Sequence, residues 1–434
     1  MPTWTNWGRS VTGEVAEIAQ PRSIDELQQV VVGAAARGLR LKAVGASHSF
    51  TGVGLTDGVL VRLDRFTGVD RVDLDSGLVT VRAGTSLHDL NETLWRVGLA
   101  LTDLGDVDVQ TIAGAISTGT HGTGARFGGL ASQVRELQLV CADGALLTCS
   151  PNTDPNLFAA TQIGLGALGV IGTVTLQCEP AYALAAAEAP ATLDAVLAGL
   201  DELVATNDHF KFDWFPHTRR TLTKRNNRVR AGTELLPLGR VRAYIDDELL
   251  ANAVFGWLNK LTTRRPSLIP RANSIAVNAL SARDYIDRSY RVFTSRRGVR
   301  FREMEYAVPR DSVRYMLGEL AAYFERSGEH VGFPVEVRFA AADDIWLSPA
   351  TGRDTAYVAV HQYVGRDYEP YFRTFEAMAR EVSGRPHWGK LHFLDADALR
   401  RSYPRFDDFR AVRERLDPHR MFGNRYLDRV LGCS

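Results

Sequence analysis

The spacing of apolar residues predicts short helices and strands that alternate through the first third of the chain. Residues 23–26 read Ser-Ile-Asp-Glu, the spacing of a capping box, whose hydroxyl and carboxylate accept from free amides at a helix start. Apolar residues recur at helical spacing up to Ala34, and Gly38 is a fitting end to this helix. A second helix is predicted from Ser86 to the vicinity of Gly98, and strands are predicted at residues 39–44, 59–63 and 78–81.

The rest of the chain continues as a mixture of strands and helices. Residues 137–140 and 146–149 predict a hairpin, because Asp143 and Gly144 between them are typical turn residues. Further strands are predicted at residues 172–177, 209–215, 301–308, 335–340 and 356–363, and further helices at residues 190–205, 315–327 and 371–383. The pattern indicates an α+β or α/β arrangement, with domain boundaries near residues 180 and 384, where the composition changes.

Composition and charge exclude several classes of protein. The chain has 434 residues with 51 basic and 51 acidic side chains, so it lacks the basic excess that nucleic acids and anionic membranes require. The sequence has no run of about 18 apolar residues, so no transmembrane helix is predicted, and the N-terminus lacks a signal-peptide pattern. The four cysteines lack metal-ligand spacing, so we expect free thiols, no metal site and a cytoplasmic location. The basic residues 219–230 are expected to form a solvated face, with a docking surface for a redox partner as the alternative.

Two segments have the composition of phosphate or cofactor loops. Residues 44–50 follow a predicted strand and read Val-Gly-Ala-Ser-His-Ser-Phe, whose small residues let backbone amides approach an anion. An ordinary turn with a structural histidine is the alternative. Residues 112–124 hold four glycines, four hydroxyls and one histidine, which favours contacts to a polyanionic cofactor over a packed core helix. A flexible loop is the alternative there.

Two further segments carry charges suited to catalysis. In the predicted strand at residues 335–340, alternation places Glu336 and Arg338 on one face, where they can orient a hydroxyl and stabilise negative charge. A cross-strand salt bridge is the alternative. Residues 386–390 read Pro-His-Trp-Gly-Lys, and Lys390 is one of five lysines among 51 basic residues, which indicates a need for a compact ammonium. A surface loop with one charge is the alternative.

Together, and in this order, these segments resemble the vanillyl-alcohol oxidase family of flavoproteins. Within that family they are similar to the aldonolactone branch, which includes L-gulono-1,4-lactone and D-arabinono-1,4-lactone oxidases and dehydrogenases, and alditol oxidases are near relatives. The His-Trp-Gly-Lys signature at residues 387–390 is the most specific part of the resemblance. The other matching segments are residues 45–49, 114–124, 164–171, 336–338, 417–418 and 422–424.

The resemblance implies an α+β fold of two domains. Residues 1–178 would form an FAD-binding domain of the PCMH type. Residues 179–384 would form a cap domain with an antiparallel sheet over the flavin, and residues 385–434 would return to the FAD-binding domain. These limits agree with the two changes in composition.

The resemblance also implies which residues hold the FAD. His48 corresponds to the histidine that is covalently bonded to the flavin in many relatives. Ser47 stands where the family usually has a glycine, which takes a positive φ freely, so this departure bears on the loop geometry and on the covalent bond. The expected cofactor-binding residues are Val44, Gly45, Ala46, Ser47, His48, Ser49, Phe50, Gly105, Asp106, Thr111, Gly114, Ser117, Thr118, Gly119, His121, Gly122, Gly169, Ile171, His387 and Asn424.

By the same resemblance the substrate is a neutral polyol-like molecule whose alcohol carbon transfers a hydride to the flavin N5. Glu336, Arg338 and Lys390 are the expected catalytic residues. Glu336 would hold substrate hydroxyls, and the two cations would stabilise an alkoxide and the reduced flavin. Asp106 and His361 are also expected to contact the substrate. The general base stays unassigned, because that role needs a suitably tuned group.

The choice of substrate rests on two shorter segments. Residues 214–218 (Trp-Phe-Pro-His-Thr) and 303–306 (Glu-Met-Glu-Tyr) are similar to the aldonolactone branch, and they favour L-gulono-1,4-lactone or D-arabinono-1,4-lactone. The alternatives are an alditol such as xylitol or sorbitol, a sugar-like group in secondary metabolism, or a flavin-fold binding protein without turnover. The electron acceptor is oxygen or a cytochrome c-like carrier, and the small Gly105 favours oxygen.

Overall fold

The elements follow the sequence in a computed structural model that describes residues 1–239, 255–278, 280–295 and 298–433, without the side chains of residues 255–259. The strands are β1 Thr3–Thr5, β2 Thr12–Glu14, β3 Glu17–Ala19, β4 Leu41–Val44, β5 Val59–Arg62, β6 Val69–Asp73, β7 Leu78–Arg82, β8 Leu99–Ala100, β9 Val134–Val140, β10 Leu146–Cys149, β11 Val170–Gln177, β12 Glu179–Pro180, β13 Ala183–Thr192, β14 His209–Trp214, β15 Arg220–Arg228, β16 Arg283–Arg288, β17 Phe301–Pro309, β18 Val335–Ala340, β19 Thr355–Tyr363 and β20 Arg385–Pro386.

The α-helices connect and cover these strands. They are α1 Ile24–Ala36, α2 Leu87–Arg96, α3 Ile112–Ser117, α4 Pro155–Gln162, α5 Leu193–Ala198, α6 Leu200–Thr206, α7 Phe255–Arg264, α8 Ile269–Asn278, α9 Ser289–Phe293, α10 Val313–Ser327, α11 Glu369–Glu381, α12 Ala396–Ser402, α13 Phe406–Leu416 and α14 Arg425–Leu431. Among the described residues, no helix has both the length and the apolar character needed to cross a bilayer.

Local signals located several of these elements correctly. α1 begins where the capping-box spacing predicts, because the Ser23 hydroxyl accepts from the Glu26 amide at 3.1 Å. Ser86 caps α2 in the same way, accepting from the Asp89 amide at 3.0 Å. The predicted hairpin is formed by β9 and β10, and Gly144 in its turn has φ +83°. Short-range hydrogen bonding is sufficient to specify these three features.

The first 180 residues form several small sheets that frame one side of the molecule's main cavities. A five-stranded antiparallel sheet has the order β10-β9-β11-β7-β6, and a three-stranded parallel sheet has the order β3-β5-β4. Two further pairs, β1-β2 and β12-β8, complete this part. Because β4 runs beside β5 and ends at Val44, the loop at residues 45–49 leaves from the end of the parallel sheet.

One large sheet is built from residues 183–386. Its order is β16-β13-β15-β14-β18-β19-β17-β20, and every neighbouring pair is antiparallel. Alternation along β18 and β19 therefore places Glu336, Arg338 and His361 toward a common space. The large sheet and the smaller sheets divide near residue 180, where the sequence predicts a domain boundary, and the three domain ranges stay a prediction.

One predicted helix is wrong, and one segment contains a helix that its composition did not predict. Residues 190–205 do not form one helix, because β13 extends through Thr192 and the short helices α5 and α6 follow it. The pairing of β13 with β16 ends at Glu188, and Pro190 lies beyond it. The missing amide hydrogen of Pro190 therefore breaks no hydrogen bond between β13 and β16. Residues 112–117 do form a buried helix, α3, because the Thr111 hydroxyl caps it by accepting from the Gly114 amide at 3.2 Å.

The basic residues 219–230 form a strand inside the sheet rather than a solvated face. β15 lies between β13 and β14. Lys224 on this strand lies 3.3 Å from Glu188 and donates to the Val292 carbonyl at 2.9 Å. Arg228 donates twice to Glu179, each time at 2.7 Å. Much of the positive charge of this segment is therefore paired within the chain, which leaves less of it for a docking surface.

The cysteines behave as the sequence predicts. All four are free thiols, and Cys141, Cys149 and Cys178 are buried. Burial raises the pKa of each of these three to about 12, so they stay protonated at neutral pH. Cys433 is exposed.

Candidate active site

Two adjoining cavities form one elongated site. The first holds about 910 Å³ of empty space, which includes open solvent, and is lined by residues between positions 4 and 171. The second holds about 800 Å³ by the same measure and lies between these segments, the strands β17 to β19 and the C-terminal segment. His48, Ser49, Gln110 and Thr118 line both cavities, so the two spaces meet at these residues. A long molecule with two chemically different ends would fit this shape.

The loop at residues 45–49 lines the first cavity with backbone amides. Within the described chain, the amide N–H groups of residues 46–49 donate to no backbone carbonyl and no side chain. Consecutive free N–H groups of this kind form a concave site for an anion. A Cβ added at Gly45 would lie 2.1 Å from the Thr111 Oγ1, so glycine is needed for this loop to pack against the start of α3. The loop therefore fits the pyrophosphate of FAD.

Ser47 adopts the left-handed conformation that its position in the loop requires. Its φ is +58°, which costs a residue with a Cβ about 1–2 kcal/mol. Two hydrogen bonds hold it there. The Ser47 hydroxyl accepts from Trp4 Nε1 at 3.0 Å, and its carbonyl accepts from the Trp7 amide at 2.8 Å. The loop thus takes a positive φ at this position even though glycine is absent.

The segment at residues 165–171 forms another wall of the first cavity. Gly166 and Gly169 have φ of +58° and +155°. A Cβ at Gly169 would lie 2.6 Å from the Val140 carbonyl oxygen, so a side chain has no room there. Glycine at this position therefore lets the segment pack closely against β9.

A buried lysine holds that wall in place. The ammonium of Lys42 on β4 donates to the carbonyl oxygen of Gly166 at 2.8 Å, of Phe422 at 3.2 Å and of Leu165 at 3.4 Å. These carbonyls belong to segments that are distant in sequence. Lys42 therefore links the strand before the 45–49 loop to the 165–171 segment and to the C-terminal tail.

His48 lies where the two cavities meet. Its ring stacks on Trp7, with ring centroids 5.1 Å apart. Burial, followed by the charge of Lys390, lowers the pKa of His48 to about 4. The ring is therefore a neutral imidazole at pH 7, with a lone pair available to act as a nucleophile. The covalent bond to the flavin stays a prediction.

Four charges form a network on one wall of the second cavity. Arg338 donates to Glu336 Oε1 at 2.8 Å, as their shared strand face predicts, and it also forms a salt bridge with Asp106. Lys211 on β14 donates to Glu336 Oε1 at 2.5 Å and lies 3.4 Å from Asp106 Oδ2. Burial lowers the pKa of both cations, but the two carboxylates outweigh it and raise each pKa above its ordinary value. The network therefore holds two positive and two negative charges and is neutral.

A second set of charges surrounds Lys390. Its ammonium donates to Glu303 Oε2 at 2.5 Å, and Glu303 Oε1 lies 3.5 Å from His361 Nε2. Two residues further along β17, Glu305 Oε1 lies 3.3 Å from His121 Nε2. Burial alone would raise the pKa of both carboxyls, but Lys390 beside Glu303 and His121 beside Glu305 hold each pKa below its ordinary value. Both carboxylates are therefore ionised at neutral pH.

The structure brings most of the predicted site residues to these two cavities. The first cavity is lined by Val44, Gly45, Ala46, Ser47, His48, Ser49, Thr111, Gly114, Ser117, Thr118, Gly169 and Ile171. The second cavity is lined by Phe50, Gly105, Asp106, His121, Glu336, Arg338, His361, His387 and Lys390. The predicted catalytic and substrate-binding residues all belong to the second set.

Three predicted cofactor-binding residues do not line either cavity. A Cβ at Gly122 would lie 2.4 Å from an Asp103 carboxylate oxygen, so this glycine permits close packing of the loop. Gly119 has φ +78° and turns the chain after α3. Asn424 donates to the carbonyls of Gly52, Val53 and Leu55 at 2.8–3.0 Å. These residues shape the cavity walls from behind.

Sequence reasoning missed several residues that line the second cavity or pair with its charges. Glu303 and Glu305 could have been predicted from the sequence, because two carboxylates on one face of an apolar strand need partners. Lys211 was harder to find, because it depends on β14 lying beside β18, where Lys211 faces Arg338 in the register. The missed residues include Trp7, Gln110, Lys211, Glu303 and Glu305.

One cluster has the composition of a metal site. The nearest ligand atoms of His121, Glu305 and His387 all lie within 4.8 Å of one another. However, the Gly389 amide donates to His387 Nδ1 at 3.0 Å, so the neutral His387 ring carries its hydrogen on Nε2. A metal-ligating histidine usually has the reverse arrangement, with its second nitrogen donating a hydrogen bond. The predicted absence of a metal stays a prediction.

Comparison with known families places this geometry in context. The profile described as D-arabinono-1,4-lactone oxidase matches residues 174–430. The profile described as FAD binding domain matches residues 15–150. The first match contains β17 to β19 and residues 387–390, and the second contains the 45–49 loop and α3.

Individual proteins are similar over the whole chain. L-gulono-1,4-lactone dehydrogenase of Mycobacterium tuberculosis is 43% identical over 431 residues, which cover 99% of this chain and 99% of that protein. L-gulonolactone oxidase of Bos taurus is 35% identical over 432 residues, which cover 98% and 97% respectively. Among solved structures, a variant of cholesterol oxidase from Brevibacterium sterolicum has a TM-score of 0.84 at 18% identity, covering 99% of this chain and 96% of that chain. At that identity the likeness concerns the fold alone, and it confirms the predicted α+β fold.

Proposed function

Because the chain belongs to the family of FAD-dependent aldonolactone oxidoreductases, we propose that it oxidises an aldono-1,4-lactone of the L-gulono or D-arabinono type by transferring a hydride to FAD. The observation that carries the proposal is the second cavity. There Glu336, Arg338 and Lys390 meet in a space that joins the cofactor cavity at His48. Each of these charges has a partner, so the cavity favours a neutral, hydroxyl-rich substrate over an ion.

The first cavity would hold the cofactor. Residues 45–49 would bind its pyrophosphate through their free amides, while α3 and residues 165–171 would enclose the remainder. FAD supplies a two-electron acceptor when bound. In this proposal residues 1–178 and 385–434 hold the FAD and residues 179–384 cover it. The four free thiols are compatible with the cytoplasmic location, which is part of the same proposal.

The residues of the second cavity would have different roles in the reaction. Arg338 and Lys390 would donate to the substrate oxygen as negative charge develops on it, and Glu336 would accept hydrogen bonds from neighbouring hydroxyls. Lys211 and Asp106 hold Arg338 and Glu336 in place, and Glu303 holds Lys390. This pairing keeps the donors oriented before the substrate arrives.

The test of this function is reduction of the bound flavin by candidate substrates without oxygen. We expect a yellow protein that L-gulono-1,4-lactone or D-arabinono-1,4-lactone bleaches faster than xylitol or sorbitol does. Alditol oxidation is the second candidate, because the paired charges would also bind an open-chain polyol. A colourless protein that takes up no FAD would refute the proposal. Following reoxidation in air and with cytochrome c then identifies the acceptor, for which we favour oxygen because the small Gly105 lines the second cavity.

His48 gives a further expected outcome. After precipitation of the protein with acid, the yellow colour should stay with the pellet, because the neutral His48 ring lies at the cavity junction, where it would meet the flavin. His48→Ala should release the colour to the supernatant and still bind FAD before precipitation. Colour released from the unmodified protein would show that the FAD is bound without a covalent bond.

A further inference from the structure

His361 lines the second cavity, but a contact with the substrate does not by itself define what His361 does in the reaction. We propose that His361 is the base that receives the hydroxyl proton when the substrate is oxidised, and that Glu303 stabilises the charge which the ring then acquires. This inference rests on the proposed function, because it names the proton acceptor of that reaction.

Hydrogen bonding decides which nitrogen of His361 can accept a proton. Nδ1 lies 3.0 Å from the carbonyl oxygen of Pro334. A carbonyl oxygen only accepts, so Nδ1 carries a hydrogen, and the neutral ring has its lone pair on Nε2. The ring is held in an apolar setting by Phe301 and Phe333, with centroids at 5.0 and 6.2 Å. The accepting nitrogen is therefore fixed in both identity and direction.

Glu303 supplies the partner for the added proton. Nε2 of His361 lies 3.5 Å from Glu303 Oε1. While the ring is neutral, a lone pair faces a carboxylate, and protonation of Nε2 converts this contact into an ion pair. Lys390, at 2.5 Å from the other Glu303 oxygen, anchors the carboxylate. The arrangement therefore gains stability when one proton arrives at Nε2.

The other candidate bases of the cavity are less suitable. The carboxylates of Asp106 and Glu336 are paired with Arg338 and Lys211, so their oxygens already contact cations. The hydrogen on His387 Nε2 makes that nitrogen a donor. These groups can position the substrate, but they do not offer a free lone pair of suitable basicity.

His121 resembles His361 and is the natural comparison. Its Nδ1 lies 2.9 Å from the Gly122 carbonyl, and its Nε2 lies 3.3 Å from Glu305. However, its ring stacks on Tyr357 with centroids 3.5 Å apart, and its side chain is 3% exposed, against 10% for His361. His361 is therefore more accessible to a substrate hydroxyl, and His121 offers a matched control.

The atoms and electrons of the step balance as follows. The substrate O–H bond breaks and its proton passes to Nε2 of His361. The carbon of the same alcohol loses its hydrogen with the bonding electron pair to FAD, and a carbonyl forms.

The charged and titratable groups that line the cavity with His361 are Glu303 and Glu305 on β17, Glu336 and Arg338 on β18, Lys390 and His387 from the C-terminal segment, and His48, Asp106 and His121 from the loops across the cavity.

The test is the pH dependence of flavin reduction under anaerobic conditions, measured with the lactone that the panel identifies. In the unmodified protein the rate should rise with pH through one ionisation, because only the neutral ring accepts a proton. His361→Gln should remove this inflection and slow reduction about 100-fold or more, since general base catalysis contributes about 10²–10⁴-fold. His121→Gln should keep the inflection.

A second variant keeps the proposal testable if His361→Gln fails to bind FAD. Glu303→Gln should move the inflection to lower pH, because the protonated ring loses its anionic partner. Retention of the unshifted inflection in His361→Gln, or its loss only in His121→Gln, would overturn the proposal. If no lactone or alditol reduces the flavin of the unmodified protein, the proposed function fails instead, so the two failures are distinguishable.

Discussion

Replacing Arg338 with methionine is expected to slow reduction of the flavin by about 10²–10³-fold while the protein retains FAD. Arg338 lines the second cavity, where Glu336 and Asp106 hold its guanidinium. Under the proposed function, its remaining N–H groups would donate to the reacting oxygen and stabilise negative charge on it. Methionine keeps an unbranched side chain, although a shorter one, and removes the charge. Anaerobic stopped-flow mixing, which follows the loss of flavin absorbance, measures this rate.

A control must separate chemistry from stability. Arg338→Met leaves Asp106 and Glu336 with Lys211 as the one cation of the network, and an uncompensated buried charge costs about 3–5 kcal/mol. The double variant Asp106→Asn with Arg338→Met restores neutrality. It should recover much of the free energy of unfolding and none of the lost rate, with Asp106→Asn alone as the baseline. Recovery of the rate in the double variant would show that Arg338 acts through charge balance alone.

The same network shows how far sequence reasoning reaches. Period-two alternation was enough to place Glu336 and Arg338 together, because both belong to one strand. His361 joined them because β19 is both the next strand in the chain after β18 and its neighbour in the sheet. Lys211 could not be predicted as a partner of Glu336 and Arg338, because the contact between β14 and β18 depends on the strand order of the eight-stranded sheet. Sheet order is a long-range property that no local pattern encodes.

Family motifs have a different limit. The Gly-x-x-His-Ser loop led to residues that do line the first cavity, since its free backbone amides follow from local geometry. Asn424 belongs to a matching segment as well, yet its amide holds three loop carbonyls and its Oδ1 caps α14. A motif position alone does not separate a residue that touches a ligand from one that shapes the wall behind it.

Replacing Lys42 with methionine is expected to lower the free energy of unfolding by about 3 kcal/mol or more and to weaken FAD binding. The substitution leaves the buried carbonyls of Leu165, Gly166 and Phe422 without the ammonium that donates to them, and each unpaired group costs about 1–3 kcal/mol. Two of these carbonyls belong to a wall of the cofactor cavity. Urea unfolding and titration of the apoprotein with FAD measure the two effects. Lys260→Met, at an exposed position, is the matched control.

Arginine at this position distinguishes geometry from charge. The three carbonyl oxygens converge on one nitrogen, which suits a compact ammonium, whereas a planar guanidinium spreads its donors over three nitrogens and is bulkier. Lys42→Arg should therefore be destabilised and should bind FAD weakly, although arginine also carries a positive charge. Lys260→Arg should behave like the unmodified protein. If Lys42→Arg kept both stability and FAD affinity, positive charge alone would be sufficient. The expected loss would explain why lysine persists at position 42 of a chain in which only five of 51 basic residues are lysines.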